Sequence, residues 1–105
     1  YSIIAVPSFV QSLKRLVKIY PSLKDDFRVF VNDLELNHEQ GTLLGNNCFK
    51  VRIAIKSKGK GKSGGARIIT HVVVNEEFVY LLTIYDKSEQ ISISEKELRK
   101  LLENL

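Results

Sequence analysis

Twelve consecutive residues, Lys56-Ser57-Lys58-Gly59-Lys60-Gly61-Lys62-Ser63-Gly64-Gly65-Ala66-Arg67, carry four lysines, one arginine and four glycines with no acid among them. Glycine admits positive φ and close approach of backbone to a ligand, and clustered cations concentrate anions around them. The chemistry open to such a stretch is phosphate chemistry. A solvated, flexible hairpin uses many of the same residues, so composition by itself leaves both readings standing. The basic excess is local: from Lys50 to Arg67 there are also Arg52 and no Asp or Glu, although the whole chain is only +4, with 16 basic against 12 acidic residues. Polyanion binding is therefore expected in one region.

Two familiar phosphate chemistries do not fit. Gly61-Lys62-Ser63 matches the end of a nucleotide-binding loop, but that motif needs an earlier glycine where this chain has Lys56, and a helix where it has an apolar, β-branched run. Divalent-metal phosphodiester chemistry needs clustered carboxylates, and this region offers cations. A single cysteine, Cys48, with only His38 and His71 beside it, has no zinc spacing and no disulfide partner. No metal and no small-molecule cofactor are expected. The remaining route is attack by a ribose 2′-hydroxyl on its own phosphate, which needs a base, cations for the phosphorane and an acid for the leaving oxygen. That route is open to RNA and closed to DNA.

The elements that must position these residues follow from periodicity. At 105 residues and 44% hydrophobic, the chain is expected to form one domain, residues 1–105. Tyr1 to Val6 is a short β-prone run stopped by Pro7, placing a first strand at the edge or start of a sheet. Ser8 sits where an N-cap would, and Phe9, Leu13, Leu16, Val17 and Tyr20 recur at helical spacing up to Pro21. Ser22 can cap a second helix, with Asp25 and Asp26 complementing its dipole and Leu23, Phe27, Phe30, Val31 and Leu34 forming its apolar stripe. Asn37 to Asn47 reads as a connector, with His38 at the surface.

Cys48 to Lys56 alternates: Phe49, Val51, Ile53 and Ile55 turn toward the helices, while Lys50, Arg52, Ala54 and Lys56 turn to the open face of a sheet. Ala66 to Val74 and Glu77 to Tyr85 are two further strands, the first apolar enough to be central, and Arg67, Ile69 and His71 share one of its faces. His71 fits a buried structural histidine better than a catalytic one. Ser94 with Glu97 forms a capping box, and Leu98, Leu101, Leu102 and Leu105 make the stripe of a last helix. The expected fold is α+β, ordered βααβββα: a helical hairpin on a small, mainly antiparallel four-stranded sheet, with a short C-terminal helix.

The string Lys62-Ser63-Gly64-Gly65-Ala66-Arg67, preceded by Phe49-Lys50-Val51-Arg52 and followed by Leu81-Leu82-Thr83-Ile84-Tyr85-Asp86-Lys87, resembles the RelE/HigB branch of bacterial toxin–antitoxin toxins. The resemblance implies a RelE-like fold and an endoribonuclease that cuts messenger RNA on the ribosome. Carried onto this sequence, it implies Lys50, Arg52, Lys62, Arg67 and Tyr85 as catalytic positions. Arg67 would stabilise phosphate charge, Lys50 or Lys62 would move a proton, and Tyr85 would stack on a base or act as acid. Lys56, Lys58, Lys60 and Lys87 would bind RNA. It implies a cognate antitoxin, with an acidic, partly disordered segment against the basic residues, and the cytoplasm as compartment. Apolar runs are too short to suggest a membrane span. Two departures stand out: the additional Lys58-Gly59-Lys60-Gly61, and Ala66 where relatives often carry an aromatic residue. Relatives of the ParE branch inhibit DNA gyrase and cleave nothing, so a non-enzymatic basic toxin or RNA- or ribosome-binding module is the alternative.

Overall fold

A computed structural model describes all 105 residues, Tyr1–Leu105. Strand β1 (Ser2–Ala5) leads into helices α1 (Pro7–Ile19) and α2 (Leu23–Leu36), then β2 (Thr42–Gly45), β3 (Cys48–Ile53), β4 (Ala66–Val73), β5 (Phe78–Asp86) and helix α3 (Glu95–Glu103). The sheet has five strands in the order β1-β5-β4-β3-β2, with β1 parallel to β5 and every other pair antiparallel. The expected α+β order is present, with one strand more than the sequence indicated. That strand is β2, inside the segment read as a connector. Asn46 and Asn47 both have positive φ, 53° and 57°, which closes a tight hairpin between β2 and β3.

The helical hairpin covers one face. Phe9 and Leu16 of α1 and Leu23, Phe30 and Leu34 of α2 pack against Val51, Ile53, Ile55, Ile68, Val72, Val79, Leu81 and Ile84. Burying such side chains stabilises the domain by about 1.5–3 kcal/mol each, before the entropy of ordering them is counted. Helix α1 starts differently from expectation: Pro7 occupies the first turn and Val6 is the N-cap, so Ser8 lies inside the helix. Ser22 is the N-cap of α2 in position only; its side chain does not bond the helix backbone.

The opposite face is not fully open. Helix α3, begun by the expected capping box (Glu97 N–H to Ser94 Oγ, 3.1 Å), lays Leu98 on Cys48, Ile69, Leu82 and Tyr85. β4 is accordingly the central strand, buried on both faces from Ala66 to Thr70. His38 is half-buried rather than free at the surface, stacked on Tyr1 with ring centroids 3.8 Å apart. His71 is half-buried beside Cys48, with Nδ1 3.5 Å from Sγ.

The β3–β4 connection is not a flexible hairpin. It holds two 3-10 turns, Lys56–Lys58 and Lys62–Gly64, separated by Gly59 and Gly61 at φ 70° and 63°. Gly65 closes it against β3, where a Cβ would stand 2.0 Å from the Ile53 carbonyl oxygen. Backbone meets backbone there, so nothing flexible can yield. Gly65→Ala should therefore cost about 3 kcal/mol or more, read as a lower urea midpoint at unchanged m-value. A variant as stable as wild type would refute this contact.

Candidate nucleic-acid interface

Register brings the predicted residues together. Arg52 pairs with Arg67, and Arg67 with Tyr85, so the three stand in one row across β3, β4 and β5. Paired positions share a face with Cβ atoms about 5 Å apart. Lys50 lies one step along the same face, opposite Ile69. Lys50 is half-buried, and Arg52, Lys56, Lys60, Lys62 and Lys87 are exposed. None of these six is in an ion pair, the salt bridges being Arg15–Glu89, Arg28–Asp25 and Lys58–Asp86.

Arg67 is not on an open surface. It is 4% exposed, and its guanidinium donates to the carbonyls of Lys62 (2.9 Å), Ala66 (3.2 Å) and Ser63 (3.2 Å). Its side chain reaches from the central strand to the second 3-10 turn, whose Lys62 and Ser63 carbonyls it bonds. Burial lowers its pKa, the Arg52 charge lowers it further, and Tyr85 opposes both. This is a buried cation held by carbonyl dipoles with no carboxylate beside it. The same bonds fix the backbone that carries Lys62.

Tyr85 is 5% exposed, its ring packed with Leu98, Ile69 and Leu82, so it is not offered for stacking on a base. Its buried hydroxyl has no hydrogen-bond partner in the protein. Burial raises its pKa, Arg67 opposes this, and Glu97 adds to it. The phenol is thus held protonated beside a guanidinium.

Lys58, expected to bind RNA, is committed elsewhere. Its side chain is 9% exposed, and its ammonium bonds Asp86 at 2.8 Å and lies 5.3 Å from the centre of the Tyr20 ring. Asp86, 1% exposed, also accepts from the Tyr20 hydroxyl and, at 3.0 Å, from the Ser88 N–H. Burial pushes its pKa up, but Lys58, Tyr20 and Ser88 outweigh burial and hold it at about 2. A second tether fixes the first turn: Asp26 accepts from the Lys56 N–H (3.0 Å) and Ser22 from the Ser57 N–H (2.8 Å). Asp26, read as a dipole acid, is a buried anchor for the basic turn.

The fold also supplies acids that the local sequence lacks. Arg52, Lys56 and Lys62 border a cleft of about 190 Å³ whose other wall, from α2, includes Asp26 and Asp33. The anchors Ser22, Asp26 and Asp86 escaped the sequence reading because each is remote from the basic stretch. The one available signal was an acid, Asp86, ending a strand that is otherwise apolar.

The RelE toxin family model, of the RelE/RelB toxin–antitoxin system, matches residues 14–104. The chain belongs to the RelE toxin family. Its fold is similar to that of the E. coli toxin RelE, seen in the free state as a double arginine-to-alanine mutant, with a TM-score of 0.63 at 11% identity. That match covers 100% of this chain and 97% of the E. coli toxin. Membership in a toxin–antitoxin family implies a cognate antitoxin as partner. No helix is long and apolar enough to cross a membrane.

Folding lowers the Asp86 pKa from 3.8 to about 2, so its contribution to stability is complete above about pH 4 and disappears as pH falls through about 2. Asp86→Asn should cost about 2 kcal/mol near neutrality. Unfolding free energies followed from pH 6 downward should show the gap between wild type and variant closing over that acid window. A gap independent of pH would place its origin outside this carboxylate.

Proposed function

We propose that this RelE-family toxin is an endoribonuclease that cuts messenger RNA on the ribosome by attack of a 2′-hydroxyl on the adjacent phosphate. The observation that carries the reading is the row Arg52–Arg67–Tyr85, flanked by Lys50 and, across the turn that Arg67 braces, by Lys62. Three chemical needs map onto it. Arg52 and Arg67 offer positive charge to a phosphorane, Lys50 or Lys62 in its neutral amine form takes the 2′-hydroxyl proton, and Tyr85, uncovered as RNA binds, protonates the leaving 5′-oxygen. Arg67 suits its role because its geometry is set before RNA arrives, so little reorganisation is needed in the transition state. The row includes no histidine and no carboxylate, so much of the rate must come from positioning of the message by the decoding site.

A second reading is favoured by one observation: Arg67 and Tyr85 are both buried. A basic module that binds and does not cut, such as a gyrase-type inhibitor, would need only the exposed cations. Mapping messenger RNA 5′ ends after expression in cells separates the two. New internal 5′ ends on translated messages support cleavage, and growth arrest without them supports binding alone. Purified toxin should cut naked RNA poorly and message on translating ribosomes well, leaving 2′,3′-cyclic phosphate; equal cutting of both would remove the ribosome from the reading.

Arg52 provides the cleaner mutation. It is exposed and stands opposite a buried cation, so Arg52→Ala should abolish toxicity with the melting temperature unchanged or slightly raised by relief of repulsion. Arg67→Ala should abolish toxicity too, but by removing three charge-assisted bonds it should also destabilise the fold by about 1–3 kcal/mol. Thermal melts beside toxicity assays test both, and a stable, fully toxic Arg67→Ala variant would remove the residue from the site.

A further inference from the structure

The end of the sheet remote from the lysine loop has the opposite chemistry. From Ile68 to Asp86 there is neither lysine nor arginine. Asp86 is taken up by Lys58, while Glu76 and Glu77, in the turn between β4 and β5, are exposed and in no ion pair. Register builds an aromatic row beside them. His71 pairs with Tyr80 across β4 and β5, and Phe78 follows on the same face, all three half-buried. Ring centroids are 6.4 Å apart from His71 to Tyr80 and 6.4 Å from Tyr80 to Phe78. At about 3.3 Å per residue, His71 stands roughly 13 Å along β4 from Arg67.

The same end leaves a strand flank open. β3 pairs with β4 only as far as Cys48 and His71, and past that point the Val72 N–H bonds the Asn47 carbonyl at 2.8 Å. The turn at Asn46 and Asn47 then carries the chain away, while β4 runs on to Val73. Beside it lies a hollow of about 250 Å³ lined by Asn47, His71, Val72, Val73, Val74 and Asn75.

An open strand flank accepts another extended chain, and the side chains around it decide which. Two unpaired glutamates repel nucleic acid and acidic peptides. Carboxylates and aromatic faces both attract cationic side chains, and the amides of Asn47 and Asn75 can bond a peptide backbone. We propose that this end of the sheet docks an extended, basic segment of a protein partner. The segment lies beside Val73 and Val74 in line with β3, with arginine or lysine side chains over the His71–Tyr80 row and toward Glu76 and Glu77. Its charge is opposite to that of any segment held by the lysine loop, so one toxin can engage both at once. The inference uses no residue of the RNA site and stands whether or not RNA is cut.

The test is a titration of the full-length toxin, followed by amide NMR shifts, with the peptide acetyl-Thr-Arg-Val-Arg-Thr-amide and its counterpart bearing glutamate for arginine. The arginine peptide should move the amides of Asn47, Val73, Val74 and Asn75, and the glutamate peptide should leave them in place. Glu76→Gln/Glu77→Asn should weaken the arginine peptide roughly tenfold or more. That variant should keep its fold, because Glu77 sits at φ 57°, a conformation asparagine adopts with less strain than glutamate. Tyr80→Leu, which keeps apolar bulk and removes the π face, should weaken the same peptide. No shift at this end with the arginine peptide overturns the proposal, as do equal shifts with both peptides or unchanged affinity in the folded acid variant. The same amides moving with toxin concentration alone would make the occupant a second copy and overturn it too.

Discussion

The carboxylate of Asp86 is where three remote parts of the chain meet. It binds Tyr20 from the end of α1, Lys58 from the basic turn and the backbone that leaves β5. Burying a lone carboxylate would be prohibitive; burying one with an ammonium, a phenol and an amide is tolerable because both oxygens accept hydrogen bonds and the charge is paired. Its consequence is geometric. A lysine- and glycine-rich loop that would otherwise wander in solvent is clamped to the sheet at Lys58 and to α2 at Lys56 and Ser57. The loop cations then act from fixed positions, which is what distinguishes a binding surface from a cloud of charge.

Arg67 extends the same logic inward. Its charge is held by carbonyl oxygens instead of an acid, so the site retains its full positive potential. A carboxylate partner would have stabilised the arginine and cancelled the field that an RNA phosphate must feel. The toxin therefore carries a locally unfavourable arrangement, a buried uncompensated cation next to an unpartnered phenol, at the place where its proposed chemistry is done.

Much of the architecture was legible in the residues. The stripes of α1 and α2, the alternation of β3 and the Ser94 capping box all sit where periodicity put them, because local patterning and tertiary burial agree there. β2 was missed because its residues are mostly exposed and show no apolar period; only the Asn46-Asn47 pair signalled the hairpin. The grouping of Lys50, Arg52, Arg67 and Tyr85 could be inferred from alternation, but their exposure could not. Burial of Tyr85 depends on α3 crossing the second face, and that of Arg67 on the second 3-10 turn folding over it, packing choices that no local pattern encodes. Lys58 is indistinguishable from Lys56 and Lys60 by type and spacing, and its pairing depends on an acid 28 positions away.

The parallel pairing of β1 with β5 orders the assembly in time. Ser2–Ala5 must wait for Phe78–Leu81, so β1 is locked only after a loop closure spanning more than seventy residues of this fold. Strand β5 also delivers Tyr85 and Asp86, the acid that clamps the basic loop. A folding chain therefore holds its cations unorganised until β5 docks, and it carries its charge before it carries a site.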